Sequence, residues 1–159
     1  MSDSPSPIRW RCCRFDELGV HELQRIHIAR QQVFVIEQNC VYLDADDVDE
    51  RSWHLAAWRD GHAGPLAYAR IVEPGVKYAE ASIGRVITGA AARGTGLGRE
   101  LVRRAVERAE AVFPGHGIRI SAQAHLARFY GAFGFSPVGE EYLEDGIPHI
   151  EMLRPPCVT

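Results

Sequence analysis

The stretch Arg93-Gly94-Thr95-Gly96-Leu97-Gly98, running on into Arg99-Glu100-Leu101-Val102, decides how this 159-residue chain is read. It stands between a strand-like run, Ala81–Thr88, and the clearest helical pattern in the sequence, Leu97–Phe113. In that helix Leu97, Leu101, Val102, Ala105, Val106, Ala109, Val112 and Phe113 form one apolar stripe, with arginines and glutamates opposite. Glycines let the backbone approach a ligand closely, and the first amides of a helix are unpaired at the positive end of its dipole. A strand, a glycine turn and a helix in that order make a site for a phosphate or pyrophosphate, although the same glycines also suit a plain tight turn. Gly98 is followed by Arg99-Glu100, not Lys-Ser/Thr, so the turn is no P-loop. The third glycine of a dinucleotide fingerprint would fall on Arg99 or Leu101, so it is not that either.

Working outward, residues 8–14 read as a strand, and Leu18–Ile36 as a helix with Leu23, Ile26, Ala29, Val33 and Phe34 on one face. Leu43–Arg51 is polar loop. Trp53–Arg59 and Leu66–Glu73 are strands joined across Asp60-Gly61 and Gly64-Pro65. Past the long helix, which Pro114-Gly115 stops, Gly117–Ala124 is a strand and His125–Phe133 a short helix closed by Gly134. A hairpin ends the chain, Ser136–Leu143 and Ile147–Leu153 about Glu144-Asp145-Gly146. The order β-α-ββ-β-α-β-α-ββ gives an α/β (α+β) class and excludes a helix bundle or a pure β sandwich. One domain over residues 1–159 is expected, with loose ends at 1–7 and 155–159.

Composition narrows the function classes. Hydrophobic residues make up 46% and charged residues 25%, a balance that suits a packed core. The net charge of −3 carries no basic excess for nucleic acid or an anionic membrane. Cys12, Cys13, Cys40 and Cys157 form no C-x-x-C pair, and the opening residues lack the pattern of a secretory signal. A cytoplasmic protein with reduced thiols is the expectation.

Two signatures make the chain recognisable. Arg93-x-x-Gly96-x-Gly98 resembles the acyl-CoA pyrophosphate loop of the GCN5-related N-acetyltransferases (GNAT), and Tyr130-x-x-x-Gly134-Phe135 resembles their second signature. The stretches Arg30–Cys40, Ala122–Phe135 and Glu144–Met152 are most similar to the ElaA-like subgroup. The resemblance implies a mixed central sheet of about seven strands with flanking helices, and acetyl-CoA as cosubstrate without a metal. It places the cosubstrate in a V-shaped gap between the strand ending at Thr88 and the strand at Ile118–Ala122. Val86, Ile87, Thr88, Arg93, Gly94, Thr95, Gly96, Leu97, Gly98 and Gln123 would contact it. An amine would attack the thioester directly, with Tyr130 protonating the departing thiolate. A phenol, with its ordinary pKa near 10, suits a donor at neutral pH. Two features depart from the pattern: Gln123 and Leu126 replace the Asn and Ala often found there, and Ala81–Thr88 carries no carboxylate. The base is therefore open among Glu37, His54, His125 and His149, with Glu151 behind them.

Asp44, Asp46, Asp47, Asp49 and Glu50 crowd seven positions. Asp49 occupies the sixth position, where a calcium loop needs glycine. The run reads as a solvated loop, or as a negative mouth that draws in a cationic amine. The spacing of Arg30, Phe34, Asp46, Asp49 and Arg70 is similar to that in acyl-homoserine lactone synthases, which share the fold. That assigns these five to the acceptor side and keeps open a longer acyl donor; a non-catalytic acyl-CoA-binding module is the third reading. A small or peptidyl amine is the expected partner, with neither nucleic acid nor membrane, the chain acting alone or as a homodimer.

Overall fold

The computed structural model describes residues 6–157. The first half is an antiparallel meander: β1 (Arg9–Arg14), β2 (Ser52–Trp58), β3 (Ala67–Val72) and β4 (Ser82–Thr88), side by side in that order. Its register runs Cys13–His54–Arg70–Gly84 across the four strands. The second half is a smaller antiparallel sheet in which β8 (Ile147–Arg154) pairs with β5 (Ile118–Gln123), β6 (Ser136–Pro137) and β7 (Tyr142–Glu144). The mixed α/β architecture is as expected. Among the described residues eight strands are present, and the sheet is parted in two.

β3 shows why the core forms where it does. Ala67-Tyr68-Ala69-Arg70-Ile71-Val72 is buried at every position, as a strand covered on both faces must be. Ala67, Ala69 and Ile71 face α2 (Leu97–Val112), which lays Leu101, Val102, Ala105 and Ala109 against them. Tyr68 faces the other way, against Ile26 of α1 (Val20–Gln31). Each Leu or Ile so buried contributes about 1.5–3 kcal/mol through the apolar area removed from water.

Three elements differ from the sequence reading. The first helix stops at Gln31. Residues Gln32–Glu37 form a wider turn in which the amides of Gln38 and Cys40 donate to Val33 O and Val35 O, five residues back. Three β-branched residues, Val33, Val35 and Ile36, crowd a regular helix, and the widened turn relieves that crowding. The strand expected over Ser136–Leu143 breaks into β6 and β7 because Pro137 lacks an amide and Gly139 turns the chain at φ +87°. The helix expected over His125–Phe133 is a tight turn at Ala124–Leu126 followed by α3 (Ala127–Gly131). Of the expected loose ends, residues 1–5 and 158–159 lie outside the described residues, and Ser6 is tied down by Arg59 Nε, which donates to its carbonyl at 2.9 Å. Among the described residues no helix is long and apolar enough to cross a membrane.

The two sheets meet where β4 and β5 begin. The Ala81 amide donates to Gly117 O (3.1 Å), and the Arg119 amide donates to Ala81 O (2.9 Å). Among the described residues, backbone pairing between the sheets is confined to this point. Past it the parallel strands diverge, leaving two strand edges that face each other across a gap.

Candidate active site

The gap is shaped by an irregularity in β4. Tyr68 pairs with Ile87 and Arg70 with Gly84, so Arg85 and Val86 together stand opposite Ala69. This is a β-bulge, and Arg85 takes it up at φ +50°, a left-handed backbone that costs a side-chain-bearing residue of order 1–3 kcal/mol. Its side chain holds it there. Nε donates to Asp44 Oδ1 (2.8 Å), Nη2 donates to Asp44 O (3.1 Å), and the guanidinium lies over the rings of Tyr42 (5.6 Å) and Phe34 (6.0 Å).

The opening between β4 and β5 is a cleft of about 410 Å³. Val86 forms one wall; Ile120, Ala122 and Gln123 form the other. Tyr130 of α3 closes the side of the cleft, packed edge-on against Phe129 (5.2 Å) and Phe135 (6.1 Å). The interval Tyr130–Phe135 is thus an aromatic clamp that fixes the phenol, and burial pushes its hydroxyl up to about 12. The hydroxyl is protonated throughout the physiological range. Ile87 is buried in the small core beside Tyr68, Thr88 pairs with Ala67, and neither side chain lines the cleft.

The glycine turn lies at the wide end of the gap. Gly94 (φ +80°) and Gly96 (φ +84°) take left-handed backbone, and Gly96 caps α2. A Cβ on either would meet no protein atom, so the backbone angle, not crowding, requires glycine there. The first amides of α2 have no partner within the helix. Arg93 folds back over the turn: Nε donates to Thr88 O (3.2 Å), and Nη2 pairs with Glu37 (2.9 Å).

That pair corrects one candidate base, since Glu37 is engaged on the rim and is not among the residues lining the cleft. His54 is corrected as well. It lies in the interior, where Nε2–H donates to Asp49 O (2.8 Å) and Nδ1 accepts from Tyr68 O–H (2.7 Å), a tautomer assigned from these partners. Burial lowers its pKa. His125 is exposed and outside the cleft, and Glu151 pairs with Arg119 at 3.7 Å. His149 alone of these five lines the cleft. Its Nδ1–H donates to Ile147 O (2.7 Å), and Nε2 stands 3.3 Å from Glu144 Oε2. It sits opposite Gln123 in the β5–β8 register.

Within the acidic run Asp47 and Glu50 are solvent-exposed, but Asp44, Asp46 and Asp49 are neither solvated nor a negative mouth. Arg30, fully buried, donates from Nε to Asp44 (2.9 Å) and from Nη1 to Asp49 (2.8 Å). Arg70 bonds Asp46 (2.6 Å) and Asp49 (2.9 Å), and Arg85 adds Asp44 and Asp46. Burial pushes the Asp49 and Asp46 carboxyls up, but the hydrogen bonds and charges of the arginines outweigh it and hold both below the usual carboxylate range. Arg30 and Asp49 are therefore framework, out of reach of an acceptor. Phe34, Asp46 and Arg70 do line the cleft. Sequence reasoning missed Arg85, whose Gly84-Arg85 interruption of an apolar strand is the mark of a bulge. It also missed Lys77, the one lysine of the chain, which lines the cleft from the β3–β4 loop.

Comparison with known proteins agrees with this geometry. Residues 48–154 match the family model described as "Acetyltransferase (GNAT) domain". The chain is 43% identical over 146 residues to the UPF0039 protein sll0451 of Synechocystis, covering 92% of this chain and 94% of that protein. It is 40% identical to Protein ElaA of Escherichia coli, over 92% and 96% of the two chains. Among solved structures, an acyl-CoA N-acyltransferase from Pseudomonas aeruginosa superposes with a TM-score of 0.88 at 43% identity, covering 93% of this chain and 99% of its own. The crystal structure of Escherichia coli ElaA gives 0.86 at 39%, over the same shares.

Proposed function

Since the chain belongs to the GNAT acetyltransferase family, in its ElaA-like subgroup, we propose that it transfers the acetyl group of acetyl-CoA to an amine by direct attack on the thioester. The parting of β4 from β5 in front of the glycine turn carries this reading. A pantetheine arm laid in the gap pairs with the free edge of β4 as an added strand. The amides of Gly96, Leu97 and Gly98 receive the pyrophosphate at the positive end of α2, and Arg93 exchanges Glu37 for a phosphate oxygen. Gln123 reaches the same wall from β5.

The thioester then lies beside the bulge and Tyr130. The amine nitrogen bonds to the acetyl carbon, the carbon–sulfur bond breaks, and the thiolate leaves toward the phenol. A hydroxyl pushed up to about 12 is a weaker acid than an ordinary thiol near 8.5. Tyr130 therefore stabilises the sulfur first by hydrogen bonding. Proton transfer becomes favourable only as the buried thiolate, desolvated in the same cleft, becomes more basic. His149 with Glu144 is placed to relay the proton from the amine.

Calorimetry with CoA and acetyl-CoA tests the reading directly, together with release of free thiol in the presence of an amine panel. Saturable binding and amine-dependent thiol release are expected. No binding at millimolar acetyl-CoA would overturn it.

A further inference from the structure

Of the carboxylates in the α1–β2 segment, the three that meet the arginines, Asp44, Asp46 and Asp49, are fully engaged, whereas Asp47 and Glu50 are exposed to solvent. Asp44 accepts from Arg30, Arg85 and Tyr42; Asp46 from Arg70 and Arg85; Asp49 from Arg30, Arg70 and the Asp46 amide. Three carboxylates balance three guanidinium groups, so the network is neutral. On the cationic side, donors are left over. Arg70 is 2% exposed, and its buried Nε has no acceptor. Arg85 bonds through Nε and Nη2 only. Lys77 is solvent-accessible, lines the same wall of the cleft, and among the described residues has no carboxylate within ion-pair distance. Lost hydration in the cleft and the charges of Arg70 and Arg85 hold its ammonium below the usual range, against the weaker opposite pull of Glu144 and Asp46. Mutually repelling cations with unfilled donors are stabilised by an anion.

The opposite wall has the other sign. Glu144 and Asp145, at the tip of the β7–β8 hairpin, line the cleft beside His149. A plain cationic amine meets one favourable wall and one repulsive wall. A zwitterion that carries a carboxylate close to its amine meets two favourable ones.

On the acetyltransferase reading above, we propose that the acceptor is an α-amino acid, its carboxylate bound by Lys77 with Arg70 and Arg85 and its amine turned toward Glu144 and His149. The amine nitrogen forms the amide to the acetyl carbon while the carbon–sulfur bond breaks. The ammonium of the zwitterion first gives one proton through His149 to solvent, the second, lost as the amide forms, ends on the CoA thiolate, and the product is an N-acetyl amino acid. The carboxylate takes no part in the bond changes and serves as the handle.

The test pairs each standard α-amino acid with the amine left by its decarboxylation, at saturating acetyl-CoA, with thiol release as the readout. A preferred amino acid is expected to exceed its own amine in kcat/KM by about tenfold or more, the scale of a charge-assisted hydrogen bond. Lys77→Gln should raise the KM for that amino acid by a similar factor and shrink its lead over the amine. The KM for acetyl-CoA serves as internal reference, and Lys77→Arg should restore the preference. Equal use of both partners, an identical effect of Lys77→Gln on both, or silence toward every amino acid by a protein that binds acetyl-CoA would overturn the amino-acid assignment. Turnover of plain amines or amidated peptides alone would overturn it too, with acetyl transfer left standing. Failure to bind acetyl-CoA at all would strike at the acetyltransferase reading instead.

Discussion

Tyr130 and Asp49 show how differently two buried polar residues act. Tyr130 lines the cleft, and no charge adjusts its hydroxyl; burial alone raises its pKa. Tyr130→Phe removes that oxygen and little else. The expected result is unchanged acetyl-CoA affinity with turnover lower by about 10²–10⁴-fold, the range for a positioned acid, measured as kcat with a working acceptor. Asp49 instead serves Arg30 and Arg70 at once. Asp49→Asn leaves two buried guanidinium groups short of a charge and is expected to lower unfolding free energy by about 3–5 kcal/mol in denaturant titration. His54 adds a pH dependence. Unfolded imidazole takes up a proton near pH 6.5, whereas burial holds folded His54 below that value, so the unfolded chain binds more protons as the pH falls. Stability should be complete above about pH 7 and decline as the pH drops through 6.5. His54→Gln should show a shallower decline in melting temperature between pH 7.5 and 5, whatever its absolute stability. Arg85 and Lys77 were hidden from sequence reading because a bulge and a long loop, not periodicity, bring them to the cleft.

At the scale of elements, legibility followed local patterning. The apolar stripe of α2 put its span within a residue of the structure, since a helix packed on a sheet repeats its contacts every three to four residues. The meander was equally plain in its turn residues. What periodicity could not show was where a regular element gives way: the widened turn after Gln31, and the break between β6 and β7. In each case local sterics at β-branched residues or proline decide, against an otherwise continuous pattern. The glycine turn at the head of α2 carries the prediction at this scale. Gly96→Asp forces a side chain into φ +84° and sets a negative charge at the proposed pyrophosphate site. The rise in melting temperature on adding CoA should vanish, while the circular dichroism of the free protein stays that of a folded α/β chain.

Across the whole molecule, the fold class and family were legible, because the glycine turn and the Tyr130–Phe135 interval are sequence-local. The acceptor side was not. The part of the cleft proposed for it is lined from the α1–β2 segment, the β3–β4 loop and the β7–β8 hairpin, and only the folded chain reveals that Asp44, Asp46 and Asp49 are matched by arginines from three elements. A charge run in sequence carries no information on its partners.

The single meeting point at Ala81 and Ile118 has one more consequence. Successive amides of β4 point alternately to β3 and to the gap. In the free protein this one strand should therefore carry two populations of exchangeable hydrogens, one protected by β3 and one trading with solvent deuterium at a rate set by the breadth of the wedge. Filling the wedge with acetyl-CoA should merge the two into one slow population, while β1, at the far edge of the same sheet, keeps its own rate. The cosubstrate would then act as a ninth strand, absent from the gene and supplied anew at each turnover.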